Sequence, residues 1–196
     1  MNVICPVKIS AHIKENCSNP NFGGLEQVGY IINKEDIDAY VRDGATISSL
    51  VLKTGAKAYA VQNAQKSPFN GTATSMTSGN AKNTFNRTCV ILVPSNDPET
   101  SENVIDKLAN GSFVVILENQ YKNTAGDNAF EVFGIDKGLK ASAIENDKYA
   151  EETDGGWKVT LVEEKTPHSA TFLFASAEGD PTIVTTRAYL DAMLAD

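Results

Sequence analysis

The sequence predicts a mainly β (α+β) fold, a β-sandwich or rolled antiparallel sheet with a flanking helix, a long projecting loop and a C-terminal helix. Short runs rich in Val, Ile, Leu, Phe and Thr recur between turn residues along the chain, the pattern of many short strands. One of them, Trp157 to Glu163, alternates cleanly: Trp157, Val159, Leu161 and Glu163 fall on one side, and Lys158, Thr160 and Val162 on the other. Helical signals, by contrast, are found in only two places, one with start and stop residues and one from periodicity alone.

The strand candidates are Val28–Asn33, Ser49–Lys53, Lys57–Gln62, Thr88–Val93, Phe113–Glu118, Ala129–Ile135, Leu139–Ile144, Trp157–Glu163 and Ala170–Ala175. In Thr88–Val93 and Phe113–Glu118 the apolar residues do not alternate, which predicts central strands covered on both faces. Between these two, Asp97 caps a helix, Pro98 takes its first position, Glu99 and Glu102 suit its dipole, and Asn110-Gly111 closes it. Val104, Ile105 and Leu108 then form a narrow apolar stripe, expected to lie on the sheet that the two strands join. A second helix is predicted from about Thr185 to the C-terminus, with Ala188, Tyr189, Ala192 and Met193 at helical spacing. It covers its own subunit or reaches a neighbour.

The segment from Asn63 to Thr88 is unusual, being rich in Ser, Thr, Asn and Gly yet containing Phe69, Met76 and Phe85 at wide spacing. Unstructured loops of this length are uncommon in a compact domain, so a hairpin or arm projecting from the sheet is the expectation. Such an arm buries its aromatics on another subunit; the alternative is a loose surface loop. Lys66, Phe69, Met76, Lys82, Phe85 and Arg87 are therefore the candidate inter-subunit contacts.

At 196 residues and with 41% hydrophobic residues, the chain fits a single domain, residues 1–196, with a substantial core. No run approaches the roughly 18 apolar residues that cross a bilayer, and the first residues lack the basic-then-apolar layout of a secretory signal. Assembly inside a cell, with no membrane insertion, is expected. The three cysteines are read as reduced thiols.

The net charge of -8 argues against a nucleic-acid-binding surface, which needs clustered Lys and Arg. Its distribution is uneven. Between Asp43 and Asp97 there is no acid, while Lys53, Lys57, Lys66, Lys82 and Arg87 are all basic. Either strands and Ser/Thr-rich loops simply use few carboxylates, or this segment meets an acidic region of a neighbouring copy.

Catalytic chemistry finds little footing, so the chain is read as not an enzyme. There are two histidines, His12 and His168, and the latter has no evident partner. Cys5, His12 and Cys17 include two ligand types for zinc but offer no paired spacing and no fourth ligand. Cys89 lies in an apolar run, where burial makes a thiol inert. The acids from Glu145 to Asp154 read as a solvated loop. No phosphate-binding or dinucleotide motif occurs, and no cofactor is predicted.

Several stretches read in series resemble tail-tube (major tail) proteins of bacteriophages and prophages of Bacteroidetes-type bacteria. They are CSNPNFGGLEQVGYIINKEDID from Cys17, LVLKTGAKAYAVQ from Leu50, DKLANGSFVVILEN from Asp106, FEVFGIDKGLKAS from Phe130 and DGGWKVTLVEE from Asp154. The resemblance implies a virion structural protein, made in the bacterial host cytoplasm. It implies homo-hexameric rings stacked into a tube with other tail proteins, and DNA passing non-specifically through the lumen. It also implies a long loop reaching the next ring, a place occupied here by residues 63–88. Acidic lumen walls would repel phosphates and keep transit fast. The alternatives are a head decoration or tail-completion protein, or a carbohydrate-binding module. The last is poorly served by a single Trp157.

Overall fold

The computed structural model describes residues 9, 11–14, 19–63, 67–80 and 82–195. They form two sheets, two longer helical segments and a short 3-10 turn at Lys34–Asp36. The strands are β1 (Leu25–Asn33), β2 (Ile37–Asp43), β3 (Thr46–Leu52), β4 (Tyr59–Gln62), β5 (Phe69–Thr77) and β6 (Thr84–Val93), followed by β7 (Phe113–Asn119), β8 (Phe130–Phe133), β9 (Lys140–Asn146), β10 (Trp157–Thr166) and β11 (Phe172–Leu173). One sheet has the order β2-β3-β11-β8-β7-β1-β4 and the other β5-β6-β10-β9. All pairings are antiparallel except that of β11 with β3.

All nine predicted strands exist. The two unforeseen ones, β2 and β5, are edge strands with most of their residues in solvent; β5 has no apolar face for a periodicity to reveal, whereas Ile37, Ala39 and Val41 of β2 do alternate with Asp38, Tyr40 and Arg42, a short signal the sequence reading passed over.

β7 is covered on both sides, as its composition predicted. Val114 and Ile116 enter one apolar cluster with Tyr30, Ile32, Phe130, Val132 and Leu190, while Phe113, Val115 and Leu117 enter another with Cys89, Ile91, Phe133, Val159 and Leu161. The first cluster lies between the large sheet and the C-terminal helix. The second joins the two sheets. Side chains such as Ile116 and Leu117 have no exposed surface, and each contributes about 1.5–3 kcal/mol by leaving water.

The first helical segment has an α turn at Pro98–Thr100, a π turn at Ser101–Ile105 and a last α turn at Asp106–Asn110. As expected, Asp97 caps it, accepting the backbone N–H of Thr100 at 2.7 Å. Its packing differs from expectation, because β6 and β7 belong to different sheets. The segment crosses between them, sending Ile105 and Leu108 into the shared cluster and leaving Val104 in solvent.

The C-terminal helix is Ile183–Asp191, starting earlier and ending sooner than expected, because Thr182 and Thr185 form a reciprocal capping box. Its inward residues are Thr186, Tyr189 and Leu190 rather than Ala188 and Ala192. It covers its own subunit: the Tyr189 hydroxyl donates to Leu50 O at 2.5 Å, and Arg187 pairs with Glu118.

The described part of the Asn63–Thr88 segment pairs as β5 and the first half of β6, within the small sheet rather than as an arm projecting from it. β6 pairs with β5 on one side and with β10 on the other, from Trp157↔Val93 to Thr166↔Phe85. In β10 the alternation carries Glu163 onto the core face, directly opposite Arg87 of β6, and both are buried. The Arg87 guanidinium donates to Glu131 Oε1 and Val132 O, each at 2.6 Å, and lies 4.1 Å from the Phe133 ring centre. Glu163 accepts the backbone N–H groups of Gly134, Asp136 and Lys137 at 2.7–3.2 Å. These contacts hold the two sheets in register through the β8–β9 turn.

Removing one partner of such a cluster leaves an uncompensated buried charge. Arg87→Ala is expected to cost about 3–5 kcal/mol in urea unfolding. A loss below about 1 kcal/mol would mean that the cluster does not organise the join between the sheets.

Candidate assembly interface

The two sheets expose four edge strands, and they are not equivalent. An unpaired edge is a template for another strand, and proteins blunt it with charge or brevity. β2 carries Asp38, Arg42 and Asp43, β9 carries Lys140 and Glu145, and β4 has only 4 residues. β5 has 9 residues, FNGTATSMT, with no charge among them. Every residue from Asn70 to Met76 is exposed. Gly71, at φ 120°, lies where the β5–β6 register shifts, a conformation that few side chains tolerate.

The six candidate contact residues separate in this setting. Lys66 lies outside the described residues. Lys82 is exposed and Met76 is 60% exposed. Met76 stands opposite Phe85, which is half-buried, at the end of the hairpin. These two form an apolar spot at the outer end of the open edge.

Phe69 and Arg87 correct the expectation of burial only between subunits. Phe69 is 7% exposed and belongs to the core, seated where β1 has Gly29, since a Cβ there would come within 2.6 Å of its ring. Arg87 sits in the buried cluster because only there does its charge meet Glu131 and Glu163. Burial lowers its pKa, and those carboxylates oppose the shift. The exposed basic residues of the acid-free segment are therefore Lys53, Lys57 and Lys82 among those described.

The sequence reading missed β5 as a strand. Its Thr residues at 72, 74 and 77, β-branched and favoured in strands, were the available signal, obscured by Gly and Asn.

Other polar groupings are structural in character. Burial pushes the Cys89 thiol up to about 12, so it is no nucleophile. The zinc reading set aside in the sequence involves Cys5 and Cys17, outside the described residues, and no cluster of three or more metal-ligating side chains occurs among those described.

His168, expected to lack a partner, has two: its Nδ1 lies 3.1 Å from Asp136 Oδ2 and 2.9 Å from Arg42 Nη1. Thr166 donates to the same Asp136 oxygen at 2.5 Å, and Arg42 reaches Thr171 Oγ1 at 2.9 Å. The Thr166 hydroxyl is turned to the carboxylate and so is not held for His168 to activate. The acidic loop is mostly solvated as predicted, though Glu152 reaches out to Lys158 and to Asn70 of β5 at 2.9 and 2.6 Å.

Exposed aromatics do not build a sugar-binding platform. Phe22, Tyr40, Tyr59 and Tyr149 stand on separate elements, and Phe22 meets Tyr121 edge to face with ring centres 5.7 Å apart. No helix is long and apolar enough to cross a membrane among the described residues. Comparison with protein families, with characterised proteins and with solved structures finds no match to this chain.

The Asp136 cluster makes a testable statement about acid stability. Burial acts to raise its carboxyl, but the Thr166 and His168 hydrogen bonds and the His168 and Arg42 charges outweigh it, so the folded pKa lies below the ordinary 3.8. A depressed carboxyl contributes stability above its unfolded value and loses it as pH falls through the folded one. Asp136→Asn should therefore lower stability at pH 7 and flatten the stability loss below pH 4, measured by urea unfolding across pH. An unchanged acid limb in the variant would sink this assignment.

Proposed function

We propose that this chain is a structural subunit that assembles with copies of itself, and that its β-sandwich is of the kind that builds rings and tubes in phage tails. The single observation that supports this reading is β5, a 9-residue edge strand with no charge to blunt it. Pairing there adds main-chain hydrogen bonds, which give affinity, while side chains on alternate positions give specificity. Met76 and Phe85, at the end of that edge, supply the apolar anchor.

In this reading subunits close into rings and the rings stack. Cyclic closure is the general way in which copies satisfy one another's edges without open-ended aggregation. Exposed Lys53, Lys57 and Lys82 would meet the acidic surface of the next copy, steering encounter and fixing register. The lumen of the resulting tube would pass DNA without binding it, as suits a subunit of net charge -8. The chain's chemistry is then self-recognition, with no catalytic step.

Negative-stain electron microscopy across a concentration series, paired with solution mass, tests this directly. Rings or hollow tubes are expected. Met76→Asp should leave the thermal midpoint unchanged, since surface substitutions usually alter stability by less than about 0.5 kcal/mol, and should weaken assembly by about tenfold or more. A strict monomer at every concentration overturns the reading and returns the chain to the decoration or binding-module alternatives.

A further inference from the structure

The open edge of β5 has a counterpart within the same sequence. From Val3 to Ile13 the residues Val3, Cys5, Val7, Ile9, Ala11 and Ile13 are apolar or small, and between them fall Ile4, the one large aliphatic residue of the second row, then Pro6, Lys8, Ser10 and His12. From Cys5 to Ile13 the alternation is unbroken, the pattern of a half-buried strand. Yet Ile9 is 80% exposed and Ile13 93%. Ala11, His12 and Lys14 are exposed as well. Apolar positions of a strand-patterned segment that stand in water, as Ile9 and Ile13 do, lack the surface they were patterned for.

We propose that residues 3–13 of one copy add as a strand to the β5 edge of a second copy. This inference rests on the assembly reading above and names the segment that occupies the edge.

Several features fit. Beneath β5 lies a cleft of about 830 Å³, lined by Phe69, Asn70 and Thr72 of β5 together with Phe22, Tyr121 and Phe172. Thr72, Thr74 and Met76 of β5 share the face of Cys89, Arg87 and Phe85, the face turned to the other sheet. An added strand would thus direct one row of side chains toward the cleft and Met76, and its other row outward. The apolar row of residues 3–13 matches the first.

The outward row carries Lys8 and His12, followed by Lys14. Glu152 of the acidic loop stands beside β5 on its hydrogen bond to Asn70, so the charges are complementary. Pro6, with no N–H, suits a strand that becomes the new edge, where it discourages a further strand from adding.

Asn19, which follows this segment in the chain, is held beside the same cleft. Tyr121 Oη donates to Asn19 O at 3.3 Å, and Asn19 Nδ2 to Lys122 O at 3.4 Å. Extended, the residues before Asn19 reach up to about 60 Å, beyond the roughly 40 Å width of a domain this size. The exposure of Ile9 and Ile13 on their own subunit directs the segment to a neighbour.

The test uses the full chain with Cys5→Val and Cys17→Ser as background, Cys89 being buried and inert. Chains carrying Ile9→Cys are mixed with chains carrying Thr74→Cys and oxidised. A disulfide-linked heterodimer is expected, at least tenfold above that formed with Ser142→Cys, an exposed control on the opposite edge. In parallel, Ile9→Asp/Ile13→Asp changes residues already in solvent. It should keep the wild-type thermal midpoint and lose at least tenfold in self-association.

Heterodimer at the control level, or normal assembly of the double Asp variant, overturns the proposal. If that variant assembles while Met76→Asp does not, the assembly reading stands and strand donation fails. If the wild-type chain never associates, both fall.

Discussion

β7 is apolar on both faces, and most of the architecture follows from the need to cover it twice. Val114 and Ile116 on one side and Val115 and Leu117 on the other are fully buried. A strand of this kind cannot sit in a sheet with one face in water. One side is closed by the C-terminal helix, whose Leu190 reaches the same cluster as Ile116. The other is closed by the small sheet, through Cys89, Ile91, Val159 and Leu161. The capped helical segment after β6 carries the chain from one sheet to the other, and this connection makes the second cover possible.

Apolar pressure alone does not fix how one sheet lies over another, because greasy faces slide. The buried polar contacts supply that choice. Arg87 from the small sheet meets Glu131 and Val132 of the large one, and Glu163 takes three backbone N–H groups from the turn that follows β8. Any shift of one sheet by a residue would strand these charges away from partners, at a cost of several kcal/mol. The price of the device is visible in Arg87 Nε, which is buried without a hydrogen bond. On the helix side, Arg187 with Glu118 and Tyr30 with Asp191 do the same work nearer the surface.

A fold closed on both faces still has edges, and the contrast among them links the architecture to the proposed assembly. Charges lie on β2 and β9, and β4 is short, whereas β5 keeps an uncharged row of backbone groups at the surface. Stability within the subunit does not require β5 to be so long, since its residues from Asn70 onward bury little. Its length and neutrality are intelligible as properties of an interface, with Met76 and Phe85 at its far end and the acidic loop tied to its near end through Asn70 and Glu152.

Local chemistry made much of this legible in the sequence. The nine apolar strands, both helices, the Asp97 cap and the two-sided burial of β7 follow from periodicity, capping and composition, which act within a few residues of chain. Other features depended on which distant residues meet. The sequence placed Phe69 and Arg87 in a loop and so on the surface. Only the folded chain put Phe69 over Gly29 and Arg87 against Glu131 and Glu163, because burying an arginine is tolerable only where carboxylates from other strands converge. The β5 edge was illegible for a related reason: a polar strand with its residues in water leaves no apolar pattern, and its status is set by the absence of a neighbour. The sequence by itself determined the strands, the caps and the apolar faces, since each is a local preference. The tertiary structure decided which sheet each strand joined, which charges were buried and which edge stayed open, because those outcomes belong to pairs of residues far apart in the chain.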